Sequence, residues 1–334
     1  MKLRRWIAVL TACVTVGLCG AFAGCSEEIA EGEVTVYMPD GAPALSMAKL
    51  MAEDTETDGV TYRVVGGSVD IALKVTNRDK EKNADFCILP VATASTQVDK
   101  DEYKLVGLVT QGNMYLVSNK HTEKIENLAA LQGKTVGVVK INNVPGLTMK
   151  AALNRQEVAW QEVKEGVLPS DSLVNLQGVA GVDGSFEYYL VPEPNVSKLT
   201  ASGKFHLVGD LQSLYNGDSG EVGYPQAVLV AKTELLETRR EWAEGFIEKI
   251  AAAEDWLYTA SGEEIFKAVQ SHYEDKGVTP AFAAENLSAE TIARCGISFE
   301  YAKNARGKID GFLQELVEID SSKASLISQS FYWQ

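Results

Sequence analysis

Short apolar runs alternate with helical patterns along most of this chain. The first three runs are rich in β-branched, aromatic or aliphatic residues and lie at residues 34–37, 61–65 and 86–89. Between the first two, Leu45, Ala48 and Met51 fall on one face of a helix predicted over residues 44–51. The third run is apolar without alternation, as in strands that are buried on both faces. This order of elements predicts an α/β fold with largely parallel sheets.

A second series of strand and helix signals begins near Met114. Its predicted strands cover residues 116–118, 134–139, 188–191 and 227–231. Asn143 and Pro145 begin a helix that reaches Arg155, because Asn is a good N-cap and Pro suits the first helical turn. Beyond residue 234, a spacing of 3.6 residues predicts helices over residues 240–259, 262–273, 280–293 and 301–317.

The N-terminal segment has the features of an export signal. Three basic residues precede an apolar run over residues 6–18, which is shorter than the roughly 20 residues that a membrane-spanning helix needs. Cys25 directly follows Ala-Gly, which resembles a bacterial lipobox, although Phe22 stands where that pattern has an aliphatic residue. The resemblance implies that residues 1–24 are removed as a signal peptide, and that Cys25 is diacylated and begins a tether over residues 25–32. A plain signal peptide and an uncleaved helix are the alternatives.

The remaining chain is long enough for two lobes. About 309 residues follow Cys25, and chains of this length commonly divide into two domains. No repeat, low-complexity segment or Gly/Ser-rich linker separates the two series of elements. We therefore expect two lobes that share chain crossings. Residues 33–110 plus 228–334 form the first predicted lobe, and residues 111–227 form the second.

Charge and cysteine content exclude several classes of partner. All 46 acidic residues but only 28 of the 31 basic residues follow Cys25, which leaves a formal charge of −18 on the predicted mature chain. Nucleic acid and anionic lipid headgroups both need a basic surface, so neither is expected as a partner. Cys87 and Cys295 are too few for a disulfide framework or a metal site. Cys87 is predicted to be a buried thiol, and a bridge between the two stays open. The three histidines show no metal spacing, and no cofactor is expected.

Turn and cap residues follow the predicted strands and mark a candidate ligand site. In open parallel sheets, ligands bind beyond the carboxyl ends of the strands, where helix N-termini point. Asp40 and Glu193 each follow a strand in a Pro-rich loop, and each carboxylate can accept a hydrogen bond from a ligand amine. Alternatively, Asp40 caps its own turn and Glu193 supports the next helix N-terminus. The candidate ligand-binding residues are Asp40, Gly41, Pro43, Gly67, Ser68, Thr93, Gln111, Asn142, Asn143, Glu193 and Tyr224.

Four segments occur in an order that resembles the substrate-binding lipoproteins of ABC importers, in the branch that handles sulfonates, nitrate and thiamine-pyrimidine precursors. These segments are residues 36–43, 131–138, 191–194 and 224–231. The similarity covers about residues 33–258, and residues 160–184 fit it poorly. The resemblance implies a type II periplasmic-binding fold, in which two α/β lobes enclose a ligand cleft.

The same resemblance implies a function in import. The protein would be a monomeric, lipid-anchored solute-binding protein at the extracytoplasmic face of the cell membrane, partnered by an ABC permease and its ATPase. It would capture a small polar organic ligand by hinge closure and would not be an enzyme. The ligand would be a nitrogen heterocycle such as a thiamine-pyrimidine precursor, favoured by Asp40 and Glu193, or a sulfonate, favoured by the N–H groups at strand ends. The alternatives are an enzyme of the same fold from a pyrimidine or menaquinone pathway, and a surface sensor or adhesion module.

Cys25→Ser should release the protein from the membrane fraction into the soluble or secreted fraction. The reason is that stable anchoring takes two or more acyl chains, and serine lacks the thiol that carries them in a lipobox. Fractionation and intact mass measurement test this, with Cys19→Ser as the matched control that should stay with the membrane. A Cys25→Ser protein that remains on the membrane and keeps residues 1–24 would identify the apolar run as an uncleaved anchor.

Overall fold

The computed structural model describes residues 33–54, 59–163, 170–219, 221 and 223–334. The predicted signal peptide, the tether and Cys25 lie outside these residues. The strands are β1 Val34–Pro39, β2 Val60–Val65, β3 Phe86–Pro90, β4 Tyr103–Thr110, β5 Met114–Ser118, β6 Thr135–Val139, β7 Gln161–Glu162, β8 Ser172–Leu176, β9 Tyr188–Pro192, β10 His206–Asp210, β11 Ala227–Lys232 and β12 Ile297–Tyr301. The helices are α1 Ala42–Ser46, α2 Ala48–Ala52, α3 Ser68–Leu73, α4 Val91–Gln97, α5 Val144–Arg155, α6 Asn195–Ala201, α7 Leu211–Asn216, α8 Thr233–Thr238, α9 Arg240–Ala251, α10 Glu254–Leu257, α11 Gly262–Ser271, α12 Ala289–Arg294 and α13 Ala302–Ile319. In the described ranges, no helix combines the length and the apolar character needed to cross a membrane.

Two six-stranded sheets contain all of these strands. The strand order is β12-β4-β11-β3-β1-β2 in the first sheet and β10-β5-β9-β6-β8-β7 in the second. The chain passes from the first sheet to the second between β4 and β5, and it returns between α7 and β11. We call each sheet with its packed helices a lobe, and we call residues 110–113 and 223–226 the two crossings. The predicted α/β fold of two lobes is confirmed.

The prediction of largely parallel sheets is wrong for the strands next to the crossings. Among the strands of the described residues, only β3-β1-β2 and β9-β6-β8-β7 pair in parallel. The strands β11 and β5 pair antiparallel with β3 and β9, respectively. The geometry of a crossing explains this difference. A strand that begins at a crossing leaves the edge where the parallel strands end, so it must run against them.

Several predicted helices differ in extent from the observed ones. Residues 280–293 were predicted as one helix, but only α12 is helical for more than a single turn. The helix starts late because Ser288 is its N-cap and accepts a hydrogen bond from the Thr291 N–H at 3.2 Å. The predicted helix over residues 240–259 is divided into α9 and α10, and the one over residues 44–51 is divided into α1 and α2 at Met47.

One continuous apolar core joins the two lobes. Leu89 of the first sheet and Leu190 of the second belong to the same cluster of buried side chains. Helix α13 contributes Phe312 to this cluster, and the Phe312 ring stacks on Tyr224 with 5.6 Å between centroids. Tyr215 makes a T-shaped contact with each of these two rings. The lobes therefore share packing beside the return crossing.

Cys87 and Cys295 are buried free thiols. Cys87 faces the cluster that contains α13, whereas Cys295 belongs to a second cluster on the other side of the first sheet. Burial raises the pKa of each thiol above its ordinary value. The buried thiol predicted at Cys87 is confirmed, and the bridge that the sequence left open is not formed.

Phe312→Ala should lower the free energy of unfolding by about 3–5 kcal/mol, because it removes a buried ring from the packing shared by both lobes. Denaturant unfolding measures this change. Leu326, which is 59% exposed, provides the control, since Leu326→Ala should change stability by less than about 0.5 kcal/mol. Equal effects of the two substitutions would contradict the shared core.

Candidate functional site

The crossings lie between strand ends of the two lobes. In the second lobe, the N–H of Glu193, just beyond β9, donates to the Asn113 carbonyl at 3.1 Å. In the first lobe, the N–H of Val91, just beyond β3, donates to the Gln226 carbonyl at 3.0 Å. The carboxyl ends of β9 and β3, where the sequence predicts a ligand site, therefore lie at the crossings.

Glycine allows the crossings to approach each other closely. Gly223 has a φ of 64°, and a Cβ there would meet the Gln111 carbonyl oxygen at 1.9 Å. Gly112 has a φ of 93°, and a Cβ there would lie 2.7 Å from the Tyr224 ring. A side chain at either position would combine an unfavourable backbone conformation with a steric clash.

Glu193 forms an ion pair with Arg294 of the other lobe. The Glu193 side chain is completely buried, the Arg294 side chain is 16% exposed, and Arg294 Nε donates to Glu193 Oε1. Ser197 Oγ lies 3.0 Å from both carboxylate oxygens and accepts a hydrogen bond from Arg294 Nη2 at 2.9 Å. Thr291 Oγ1 lies 3.0 Å from the same hydroxyl. The Glu193–Arg294 pair is thus a buried, hydrogen-bonded contact between the lobes.

Asp40 belongs to a second contact between the lobes. Its Oδ1 accepts from the Gly41 N–H at 2.6 Å, and its Oδ2 accepts from the Ala281 N–H at 2.7 Å. The Ala281 carbonyl in turn accepts from Lys198 Nζ of α6 at 2.7 Å. Asp40 therefore caps its own turn, as the alternative interpretation proposed, and fixes a first-lobe loop that α6 contacts.

Tyr115 adds a third contact between the lobes. Its Oη donates to the Arg294 carbonyl at 3.1 Å. Burial, followed by the nearby carboxylates of Asp210 and Glu193, raises the pKa of Tyr115. The phenol consequently remains a neutral donor at physiological pH.

The other predicted residues occupy several positions around the strand ends. Gly41 and Gly67 are the N-caps of α1 and α3, and Pro43 lies in the first turn of α1. Ser68 begins α3 but its side chain lies outside the described part of the structure, and Thr93 is half-buried in α4. Their roles in ligand binding stay predictions.

The remaining predicted residues lie at the surface before α5 or in the two crossings. Asn142 and Asn143 are exposed before α5, and Asn143 occupies the N-cap position without a side-chain hydrogen bond. Gln111 Oε1 accepts from Lys308 Nζ of α13. Tyr224 is fully buried in the core beneath the return crossing. The structure therefore brings Asp40 and Glu193, but not every predicted side chain, to the boundary between the lobes.

A small crevice lies beside Asp40. Its other walls come from the α1 segment and the C-terminal helices, and they include Leu45, Phe266, Val269, Pro280, Phe282 and Leu287. All of these residues belong to the first lobe. The crevice therefore does not join the strand ends of the two lobes.

Sequence reasoning missed Asn113, Gln226 and Arg294. Asn113 and Gln226 each stand one residue before a strand that begins at a crossing, and Gln226 Nε2 donates to Asn113 Oδ1 at 2.8 Å. A polar residue directly before an apolar strand was the available signal.

In the described ranges, no group of three or more His, Cys, Asp or Glu side chains is arranged to hold a metal ion.

Comparisons with known proteins identify the fold. No protein-family model matches the chain. A protein from Bacillus subtilis (strain 168) that is named as a binding protein, YtlA, is 23% identical to this chain over 285 residues. The aligned residues span 82% of this chain and 80% of YtlA. An ABC transporter structure from Parabacteroides distasonis has a TM-score of 0.69 at 20% identity, with 91% of this chain and 99% of that chain covered.

Sulfonate-binding proteins are also similar in structure. The periplasmic aliphatic sulphonate binding protein SsuA from Escherichia coli has a TM-score of 0.63 at 13% identity, with 91% of this chain and 93% of that chain covered. The alkanesulfonate-binding protein SsuA from Xanthomonas axonopodis pv. citri, bound to MOPS, has a TM-score of 0.59 at 11% identity, with 90% and 98% covered. The chain thus has the two-lobed fold of periplasmic binding proteins.

Arg294→Gln should lower the free energy of unfolding by about 3–5 kcal/mol, because it leaves the Glu193 carboxylate buried without its charged partner. The double variant Glu193→Gln/Arg294→Gln should recover part of this loss. Denaturant unfolding of the single and double variants measures both effects.

Arg306 provides the control for this prediction. It pairs with Asp310 at the surface, where its side chain is 40% exposed, so Arg306→Gln should cost less than about 1 kcal/mol. A loss of that small size in Arg294→Gln would mean that the Glu193–Arg294 pair does not hold the lobes together.

Proposed function

We propose that this protein is the solute-binding component of an ABC importer and captures a small polar organic ligand between its two lobes. The observation that carries this proposal is the topology: two sheets direct their parallel strand ends towards a pair of crossings. Ligands of open α/β sheets bind at such strand ends, and binding sites commonly lie between domains. The fold shared with ABC-importer binding proteins supports the same function.

The proposed lobes are residues 33–110 plus 228–334 and residues 111–227, with a lipid on Cys25 as the membrane anchor. A permease and its ATPase would be the partners. The structural neighbours are transport binding proteins rather than enzymes, so the enzyme alternative is not favoured.

Hinge motion at the crossings is the proposed mechanism. Two crossings that lie side by side allow the lobes to rotate about them. The Glu193–Arg294 pair and the Lys198–Ala281 hydrogen bond each join a residue of one lobe to a residue of the other, so a rotation that separates the lobes would break both contacts. We therefore assign the described arrangement to the closed form, which these contacts stabilise.

The hydrogen-bond partners of Asp40 and Glu193 bear on the class of ligand. Asp40 and Glu193 both have protein donors, so a ligand amine would have to replace Ala281 or Arg294 as their partner. The named functions of the SsuA neighbours favour a sulfonate. A sulfonate and a nitrogen heterocycle are therefore the two classes to test first.

Small-angle X-ray scattering should detect a smaller radius of gyration when a ligand saturates the protein. Native mass spectrometry of protein purified without refolding would identify a co-purified ligand, which can then be used in the scattering measurement. Saturation at a hundredfold excess over Kd should also stabilise the fold by about 2.7 kcal/mol.

Arg294→Gln should increase the radius of gyration of the unliganded protein, because it removes a contact of the closed form, and Arg306→Gln should leave it unchanged. An unchanged radius on saturation would contradict hinge closure. The absence of any co-purified ligand, together with no binding of sulfonates or aminopyrimidines, would contradict the solute-binding function.

A further inference from the structure

The side chains of Asn113 and Gln226 connect the two crossings. Asn113 precedes β5 in the second lobe and is only 6% exposed, and Gln226 precedes β11 in the first lobe. Gln226 Nε2 donates to Asn113 Oδ1 at 2.8 Å. Their backbone carbonyls accept from Glu193 and Val91, which begin the segments beyond β9 and β3. This amide pair therefore lies where the strand ends of the two lobes meet.

The amide pair carries a buried acceptor without a partner. Gln226 Oε1 is inaccessible to solvent and has no hydrogen-bond donor in the described part of the chain. Three more buried oxygens at or beside the same crossings lack partners: Thr110 Oγ1, Tyr224 Oη, and Oδ1 of Asn216, whose amide donates to the Gly223 carbonyl at 2.7 Å. Buried polar groups are normally paired, so Gln226 Oε1 is a carbonyl that can accept a hydrogen bond from a donor outside the protein.

We propose that the Asn113–Gln226 amide pair forms the base of the ligand site, and that the ligand donates an N–H or O–H hydrogen bond to Gln226 Oε1. This inference rests on the proposed solute-binding function. The inference specifies a substituent for each of the two ligand classes. A sulfonate ligand would carry a hydroxyl or amino group, and a heterocyclic ligand would carry an exocyclic amine. An unsubstituted alkanesulfonate offers only acceptors and would leave Gln226 Oε1 unpaired.

Matched probe pairs isolate the proposed hydrogen bond. Isethionate and ethanesulfonate differ by one hydroxyl group, and 4-amino-2-methylpyrimidine and 2-methylpyrimidine differ by one amino group. One of the two pairs should bind. Within that pair, calorimetry should find that the compound with the hydroxyl or amino group binds at least about threefold more tightly than the compound without it, which is the ratio expected for one neutral hydrogen bond.

Two substitutions of Gln226 test whether this residue causes the preference. In Gln226→Leu, the ratio of the two affinities should fall to about one, whereas Gln226→Glu keeps an acceptor oxygen and should retain the preference. Gln314 is an exposed residue on α13 that donates to Glu318, so Gln314→Leu serves as the control with an unchanged ratio. Circular dichroism of each variant establishes that the fold is intact.

The outcomes separate this inference from the proposed function. Equal binding of both members of a pair, or a preference that survives in Gln226→Leu, overturns the inference and leaves solute binding in place. A preference for the donor-free member also overturns it, because that result requires both amides to be turned over so that Gln226 presents its NH₂ group. Binding of neither pair, with no co-purified ligand, overturns solute binding and the inference together.

Discussion

The double passage of the chain between two sheets is the constraint on which this structure depends. In each sheet, both crossings lie at the edge where the parallel strands have their carboxyl ends. For that reason β5 and β11 run antiparallel to β9 and β3. The same requirement brings the carboxyl ends of strands from both lobes together, so the position of the proposed ligand site follows from the topology. The close backbone approach at Gly112 and Gly223 keeps the two passages side by side.

Electrostatics at the boundary between the lobes follow from the cost of burying charge. A carboxylate as deeply buried as that of Glu193 needs a partner, and Arg294 with Ser197 supplies one within the protein. In the described arrangement the carboxylate is therefore satisfied by protein groups, and the proposed ligand does not have to supply its partner. Recognition can then rely on neutral amides and hydroxyls, which cost less to desolvate than charged groups.

Local sequence pattern predicted the parts of this structure that local chemistry determines. The strands β1, β2 and β3 were predictable because each apolar run is followed by turn or cap residues. The directions of β5 and β11 were not, because they follow from which lobe each strand joins. The apolar spacing of residues 280–293 indicated a helix, yet Phe282 and Leu287 satisfy the same spacing from a loop that packs on the core. At the site, Asp40 and Glu193 were recognisable, whereas their partners Ala281 and Arg294 lie 241 and 101 residues away in the chain.

The two buried thiols have a practical consequence for spectroscopy. Cys87 and Cys295 lie on opposite sides of the first sheet, and burial keeps both protonated and shielded from reagents. Two cysteines, one introduced on the surface of each lobe, would then be the accessible thiols of the described chain. Paired spin labels or fluorophores attached there would report the distance between the lobes in single molecules, without first replacing Cys87 and Cys295.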